Sequence, residues 1–333
     1  MTESVSSPIP EHVLAKKSTE ELSEELWDTI IIGGGCVGIS AAIYAYRFNM
    51  KTLLLSKELG GLITWTHLVE NYPGLGSVSG IEMMEKFIAH AKLFDIPLLE
   101  EQDVVEVRKG DSGFEIKTKK TVFRTKTVIF ATGTTVKQLG VPGEERLKSK
   151  GVSYCATCDA AFFRNKIVAM VGSGDSACKE ALLLTEFAAK VYLIARGDRL
   201  KPEPINAKRV AENSKIIPIY NTKVLSIEGT EKLTHVVLDR PYDGNTLLKL
   251  DGLFIAIGHI ANTEMLQDLH IMLNAKGEIV IDQQSRTNVP GFYAAGDVVQ
   301  STYKQAITGV AEGVIAAFSA YRHITGGEEV VPK

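Results

Sequence analysis

The sequence predicts an α/β fold with two Rossmann-like dinucleotide-binding domains, and three observations support this prediction. A strand-like run at 29–32 is followed by a glycine-rich turn and by a helix-like segment from about 36 to 48. The same order of strand, turn, helix and strand recurs 139 residues later, counted from Gly33 to Gly172. Each copy continues with strand-like segments, around 104–107, 114–118 and 122–124 in the first, and ends in an apolar strand followed by glycine, 128–131 in the first. An internal duplication is the simplest explanation. After it, a strand-rich piece and a helix from about 304 to 322 are expected within 278–323.

Composition and charge are those of an ordinary globular protein. The chain has 333 residues, enough for two domains. Hydrophobic residues make up 45% and charged residues 23%, and the net charge of −3 gives no basic excess for nucleic acid. No run approaches the roughly 20 apolar residues of a membrane span, and the N-terminus is polar and acidic. We therefore expect a cytoplasmic protein without a nucleic-acid or membrane partner.

The first glycine motif has the spacing of a pyrophosphate-binding turn. Gly33 allows the tight turn, Gly35 allows a phosphate to approach the backbone, and Gly38 allows the helix to pack on the strand. Free N–H groups at the start of that helix would bind the phosphates. The alternative, a flexible turn without a ligand, is disfavoured by the flanking strand and helix. An acid usually ends the second strand and binds the ribose, but here Ser56 stands there, with Glu58 nearby.

The second glycine motif runs from Gly172 through Gly174, Asp175 and Ser176 to Ala177. Alanine replaces the last glycine, a variant that occurs in dinucleotide-binding turns. The sequence therefore predicts a nicotinamide site in the second copy.

A CxxC motif, Cys155 to Cys158, carries the most specific chemistry. Two intervening residues let the sulfurs form a disulfide that also exchanges readily. Closing so short a loop stabilises the fold by only about 2 kcal/mol, so the bond suits catalysis better than stabilisation. Half a zinc site and two buried thiols are the alternatives, but no second CxxC or nearby histidine supplies more ligands, and we expect no metal. Cys36 and Cys178 each begin a helix, where packing is expected.

Seven ordered segments resemble the low-molecular-weight thioredoxin reductases, over residues 27 to about 325. They are GGGCVG (33–38), GGLITWTHLVENYPG (60–74), ATG (131–133), YCATCDAAFF (154–163), VGSGDSA (171–177), AIGHIANT (256–263), and AAGDVVQ with KQAITGVAEG (294–313). The resemblance implies an FAD domain that is split by an inserted NAD(P)H domain, both of the three-layer ββα type. The expected boundaries are an N-terminal appendage at 1–26, the first part of the FAD domain at 27–137, the NAD(P)H-like domain with the CxxC at 138–260, and the second part of the FAD domain with the C-terminal tail at 261–333.

The resemblance also implies which residues bind the cofactors. FAD would be held by Gly33, Gly35, Gly38, Asn71, Thr132, Gly133, Gly296, Asp297, Gln305 and Ala306. NADPH would be held by Gly172, Gly174, Asp175, Ser176, Arg196 and Lys201. His259 and Asn262 resemble nicotinamide-domain positions, and we assign neither a catalytic role.

Roles in the reaction follow from the same resemblance. Cys158 would be the sulfur next to the flavin, Cys155 the one that attacks the disulfide of the protein substrate, and Asp159 the general acid or base. A carboxyl group beside a thiol pair can supply the proton that an outgoing thiolate needs. An aspartate that caps a helix is the alternative for Asp159. The inserted domain is expected to rotate about hinges near 134–137 and 259–261.

The sequence specifies the electron donor and the protein partner less closely than it specifies the disulfide chemistry. Family members that use NADPH carry a His-Arg-Arg-x-x-x-Arg pattern after the second strand of the inserted domain. Here Ala195, Arg196, Gly197 and Lys201 occupy those positions, and Arg199 adds a cation. No acid stands there to bind the free 2′-hydroxyl of NADH, so NADPH is favoured. A ferredoxin donor, or a non-catalytic redox-sensing flavoprotein, are the alternatives. Thioredoxin or a similar small dithiol protein is the expected partner, and a homodimer the expected assembly.

Overall fold

Strands and helices alternate through the described part of the chain, residues 17–110 and 112–327 of a computed structural model. The helices are α1 (Thr19–Ser23), α2 (Cys36–Arg47), α3 (Gly80–Ala91), α4 (Glu144–Leu147), α5 (Ala156–Asp159), α6 (Asp175–Phe187), α7 (Pro204–Glu212) and α8 (Ala306–Thr325). The strands are β1 (Leu26–Gly35), β2 (Thr52–Gly60), β3 (Leu98–Leu99), β4 (Val104–Gly110), β5 (Gly113–Thr118), β6 (Val122–Phe130), β7 (Thr134–Val136), β8 (Val152–Ser153), β9 (Ile167–Val171), β10 (Lys190–Ile194), β11 (Ile216–Ile219), β12 (Val224–Glu228), β13 (His235–Tyr242), β14 (Asn245–Lys249), β15 (Gly252–Ile255), β16 (His259–Ala261) and β17 (Phe292–Ala294).

Two sheets, each with parallel strands at its centre, form the two structural units. The first has the order β3-β2-β1-β6-β5-β4, with β17 beside β6. Its strands β3, β2, β1, β6 and β17 are parallel, whereas β4, β5 and β6 are antiparallel. The second sheet has the order β11-β10-β9-β15-β8 and is parallel throughout. A separate antiparallel sheet, β12-β13-β14, accompanies it. This arrangement confirms the predicted fold class of two Rossmann-like units.

Helices cover one face of each parallel core and antiparallel strands cover the other, because side chains of one strand enter two different apolar clusters. In β1, Ile30 and Ile32 lie in one apolar cluster and Ile31 lies in the other. The strand β9 divides in the same way, with Met170 and Val171 on opposite faces. Such fully buried strands are typical of α/β folds.

Two sequence-based expectations about strands were wrong. Val122–Arg124 and Val128–Ala131 were predicted as separate segments, but one continuous strand, β6, runs to Phe130. Thr125 and Thr127 bridge them because their side chains are buried and hydrogen-bonded to backbone carbonyls. In the range 278–323 the expected helix from about Lys304 to Arg322 is confirmed by α8, but the expected strand-rich piece has only β17 and isolated bridges.

The N-terminal segment is attached to the first core from residue 18 onward. Ser18 and Glu21 form a capping box that starts α1. Leu22 is buried in the core, and its carbonyl accepts a hydrogen bond from the Trp27 indole at 3.0 Å. The rest of the predicted helical pattern, residues 1–16, lies outside the described residues, as do 328–333.

Two short strands connect the units. β7 and β16 pair antiparallel, with Thr134 opposite Ala261 and Val136 opposite His259. The chain therefore passes from the first sheet to the second and back through one narrow ribbon. The predicted hinges lie in this ribbon, and the predicted boundaries at 137/138 and 260/261 adjoin it; both stay predictions.

No helix in the described ranges is long and apolar enough to span a membrane.

Candidate active site

The first glycine turn has room for a ligand at one position only. Gly33 has φ +122°, and a Cβ there would lie 2.2 Å from the Ala131 carbonyl oxygen. A Cβ on Gly38 would lie 1.9 Å from the Gly33 carbonyl oxygen, so helix and turn are in contact. At Gly35 the nearest atom would be 3.9 Å away. No side chain caps α2, which leaves its first N–H groups available to phosphate. This turn fits a dinucleotide.

The second glycine turn repeats this geometry. A Cβ on Gly172 would lie 2.3 Å from the Ala256 carbonyl oxygen, whereas a Cβ on Gly174 would meet nothing within 4 Å. Asp175 uses its carboxylate within the protein, accepting hydrogen bonds from Glu203 N at 2.9 Å and Asn206 Nδ2 at 2.8 Å. Burial opposes its ionisation, but these donors outweigh burial and lower the pKa of Asp175. The turn fits a second dinucleotide, with Asp175 as a structural anchor beside it.

Predicted flavin-side residues contact residues from distant parts of the chain, including Asn262, which resembles a nicotinamide-domain position. Asn71 Nδ2 donates to Gln305 Oε1 at 3.0 Å. Thr132 Oγ1 donates to the Asn262 carbonyl at 2.9 Å, and Asn262 Nδ2 returns a bond to the Thr132 carbonyl at 3.0 Å. Asn262 therefore connects the end of the first part of the expected FAD domain (27–137) to the start of its second part (261–333).

Glu312 was not predicted from the sequence, yet it supports the turn that contains Gly296 and Asp297. Its Oε2 accepts a hydrogen bond from Gly296 N at 2.9 Å. Burial, together with the negative charge of Asp297, raises the pKa of Glu312. Glu312 lies on α8, and the lack of side chains at Gly309 and Gly313 lets α8 approach Val37 of α2 closely. Close packing of these helices thus positions the turn.

One cavity of about 2150 Å³ joins both glycine turns. It is lined by every predicted FAD and NADPH residue except Gly38, which packs beneath Gly33, and Lys201. Lys201 reaches the second turn through its backbone, whose N–H donates to the Ser173 carbonyl at 2.7 Å. A hydride donor and a flavin bound at these turns would share one space.

The predicted dithiol is present as a disulfide between Cys155 and Cys158, with 5.3 Å between their Cα atoms. Cys155 is 7% exposed, whereas Cys158 is exposed to solvent. Tyr154 and Thr157 line the cavity, but neither cysteine does. The expected contact between Cys158 and the flavin stays a prediction.

Alternatives to catalysis were considered for Asp159, for the other two cysteines and for a metal site. Asp159 is partly buried, and its side chain makes no capping hydrogen bond to the 3-10 helix that follows. Cys36 and Cys178 are free and buried, as expected for packing residues. Among residues 17–110 and 112–327, no cluster of three or more His, Cys, Asp or Glu side chains could hold a metal ion.

Side-chain hydrogen bonds at three places join the two units in their present arrangement. Arg209 forms a two-bond fork with Glu70, at 3.1 and 2.9 Å. Tyr303 donates to Glu203 at 2.7 Å. Thr157 Oγ1 donates to the Trp65 carbonyl at 2.6 Å, which brings the redox loop against the first unit. Sequence patterns did not predict these contacts, because each joins segments that are at least 92 residues apart.

Comparison with known protein families identifies the class of enzyme to which this site belongs. The family model described as pyridine nucleotide-disulphide oxidoreductase matches residues 27–313. This chain belongs to that family. As a member, it is a flavin-dependent disulfide oxidoreductase with a nicotinamide cofactor, which the two glycine turns and the disulfide independently favour.

Individual members of the family are similar over nearly the whole chain. Thioredoxin reductase from Treponema pallidum is 38% identical, over 90% of this chain and 97% of its own length. The crystal structure of Lactococcus lactis thioredoxin reductase is 37% identical, covers 90% of this chain and 99% of its own, and has a TM-score of 0.87. A ferredoxin-flavin thioredoxin reductase from Clostridium acetobutylicum is 30% identical, covers 91% and 98%, and has a TM-score of 0.51. The resemblance to low-molecular-weight thioredoxin reductases is confirmed.

Proposed function

We propose that this protein uses NADPH and FAD to reduce the Cys155–Cys158 disulfide, and that the resulting dithiol reduces thioredoxin or a similar small dithiol protein. One observation carries the proposal: a single cavity joins two dinucleotide turns, and the disulfide-bearing loop lies at its rim with one cysteine exposed. A bound flavin would accept a hydride from the nicotinamide and supply electrons to a disulfide. Relatives of high similarity are named thioredoxin reductases.

The FAD pyrophosphate would lie at Gly35, in the open position between Gly33 and Gly38. Asn71 with Gln305, and Thr132 with Gly133, would contact the flavin side, since these groups line the cavity. Asp297 and Ala306 would complete the site, together with Gly296. NADPH would lie along Gly172 to Ser176, with its 2′-phosphate toward Arg196 and Lys201.

Rotation of the inserted domain would bring the disulfide to the flavin. The ribbon of β7 and β16 is the only pair of strands that links the two units in the described residues, which makes it the natural axis. In the present arrangement the cavity favours transfer from nicotinamide to flavin. In the rotated one, Cys158 would face the flavin and Cys155 would be presented to the partner after reduction. Asp159 would exchange the proton that accompanies each opening of a disulfide.

Phe162 marks the expected docking surface for the protein substrate. It lies four residues after Cys158 and is 78% exposed, which is unusual for a phenylalanine. We expect Phe162→Ala to raise the KM for thioredoxin about tenfold, in line with an aromatic anchor worth about 1.4 kcal/mol. Turnover of a small aromatic disulfide should not change.

A matched control for this prediction is Leu247→Ala, since Leu247 is 48% exposed on β14 of the same unit. It should leave both reactions unaltered. Equal loss with the protein and the small substrate in Phe162→Ala would argue against docking and for damage to the disulfide itself.

Three cations favour NADPH as the donor. Arg196, Arg199 and Lys201 are exposed, and within the described ranges their side chains make no hydrogen bond or ion pair, so they are available to a phosphate. We expect NADPH to bleach the flavin faster than NADH under anaerobic stopped-flow conditions. Arg196→Ala should remove most of that difference, about tenfold or more, because a charge-assisted bond contributes roughly 1.5–3 kcal/mol. High salt should weaken NADPH binding.

The control for the donor experiment is Arg240→Ala, an exposed arginine of β13 that pairs only with the neighbouring Asp239. A preference unchanged by Arg196→Ala would contradict the assignment. A second candidate is reduction by ferredoxin, which is favoured by the incomplete arginine pattern and by the similarity to a ferredoxin-flavin enzyme. Ferredoxin replaces NADPH as the proposed donor if neither NADPH nor NADH bleaches the flavin but reduced ferredoxin does.

Assembly and location complete the proposal. An aromatic cluster on α2 and α8 leaves Tyr44 at 40% and Phe318 at 46% exposed, and Phe48 packs between them with ring centroids 6.3 and 5.7 Å away. Such a patch supports a homodimer that uses this face. A reductase that maintains thiols would act in the cytoplasm, where thiols are kept reduced.

A further inference from the structure

A carboxyl group that the sequence did not predict lines the cavity and contacts the redox-active helix. Glu180 lies on α6, and its Oε2 accepts a hydrogen bond from the backbone N–H of Ala156 at 3.3 Å. Ala156 directly follows Cys155 and is fully buried. The Cys155 sulfur accepts a bond from Cys158 N at 3.1 Å in the same turn. A carboxylate and a sulfur therefore share the first turn of α5, and rotation of the inserted domain leaves this relation unchanged.

No cation in the described part of the chain pairs with Glu180. The titratable groups on α6 itself and on the elements packed against it are Asp175, Cys178, Lys179, Glu186, Cys155, Cys158, Asp159, Lys190, Tyr192, Lys208, Arg209 and Glu212. Within the described residues none of them forms a hydrogen bond or an ion pair with Glu180. Lys179 pairs with Asp175 and Arg209 with Glu70. Burial raises the pKa of Glu180 to about 7.

Reduction of the disulfide places new charge beside this carboxyl group. Two electrons from the flavin break the S–S bond and leave two sulfur anions, and one proton, exchanged through Asp159, neutralises the first of them. If the second sulfur stayed ionised next to an ionised Glu180, two negative charges would occupy one turn. Each raises the pKa of the other. A second proton held at neutral pH by one of the two groups would remove this repulsion.

We propose that Glu180 is a positioning residue for the reduced dithiol, which shares one proton with Cys155 and so controls when Cys155 becomes a thiolate. This inference rests on the proposed role of Cys155 as the attacking sulfur. The thiolate is the nucleophile in disulfide exchange, so this shared proton sets the pH at which Cys155 attacks.

The test follows Cys155 ionisation directly, in the full-length, flavin-loaded protein with Cys158→Ser. Thiolate absorbance in the ultraviolet is measured against pH, with and without Glu180→Gln. Burial raises the pKa of Cys36 to about 12 and that of Cys178 to about 11, so neither free thiol contributes in the neutral range. We expect Glu180→Gln to lower the midpoint of Cys155 ionisation by about one pH unit, which is about tenfold more thiolate below the midpoint.

Two further variants keep the result interpretable. Glu212→Gln removes an exposed carboxyl group from α7 of the same unit and should leave the midpoint unchanged. Glu180→Asp retains the charge, so its midpoint should lie closer to that of the parent than to that of Glu180→Gln. An unchanged or higher midpoint in Glu180→Gln overturns the proposal, as do equal midpoints for Gln and Asp. The measurement needs neither NADPH nor thioredoxin, so lack of thioredoxin turnover would overturn the proposed function alone.

Discussion

Cys155→Ser is expected to lose disulfide turnover by at least about a thousandfold while it retains a long-wavelength charge-transfer band, and Cys158→Ser is expected to lose both. Removal of either sulfur prevents the closure of the disulfide, and exchange without a resolving partner stops at the mixed disulfide. The band requires a thiolate against the flavin, which we propose is Cys158. Visible absorbance of each variant with its flavin oxidised, together with turnover of thioredoxin, provides the measurement.

The exposure of the two sulfurs makes this a demanding prediction. Cys158 is the more exposed one in the present arrangement and lies outside the cavity. A band in Cys155→Ser would therefore also report that the inserted domain rotates. Cys178→Ser is the matched control, because Cys178 is a fully buried free thiol of the same unit and should keep both turnover and flavin. A band in Cys158→Ser and none in Cys155→Ser would reverse the assigned roles.

Local motifs predicted the turns correctly because their geometry depends on a few neighbouring residues. Gly33 and Gly172 occupy positive φ values against a backbone carbonyl, a position at which side chains clash. The resulting spacing of glycines is visible in any sequence that forms the turn. A continuous apolar run likewise identified β1 and its duplicate β9, since one face of each is covered by helices and the other by antiparallel strands.

Contacts between distant segments were not predictable in this way. Glu180 reaches Ala156 across 24 residues, and Glu312 reaches Gly296 across 16, in each case through helix packing that no motif specifies. The relative orientation of the two units depends on few contacts, among them Arg209 with Glu70. An arrangement that rests on so few polar contacts is easily exchanged for another one. The family resemblance implied two orientations but did not indicate which of them the structure would adopt.

Substitution by alanine at each of the two glycines with free space around them should impair one cofactor site and leave the other intact. Gly35 and Gly174 both have extended backbone, with φ of −77° and −84°, so any residue can adopt their conformation. An added methyl group would meet no atom within 3.9 Å at Gly35 and none within 4 Å at Gly174. Neither change should affect folding. A bound pyrophosphate, however, would occupy the space of the methyl group.

Gly35→Ala should therefore yield folded protein with its flavin largely lost, and with all flavin-dependent turnover lost in proportion. Gly174→Ala should remain yellow, with bleaching by NADPH slowed about tenfold to a hundredfold, as expected for about 1.4–3 kcal/mol of lost binding. Flavin content by absorbance, folding by circular dichroism and stopped-flow bleaching distinguish these outcomes. Gly33→Ala is the contrasting variant, since its methyl group would lie 2.2 Å from the Ala131 carbonyl oxygen and should impair folding itself. A full complement of flavin in Gly35→Ala would show that the FAD pyrophosphate lies elsewhere. An unchanged rate of flavin bleaching in Gly174→Ala would show that the second turn does not bind NADPH.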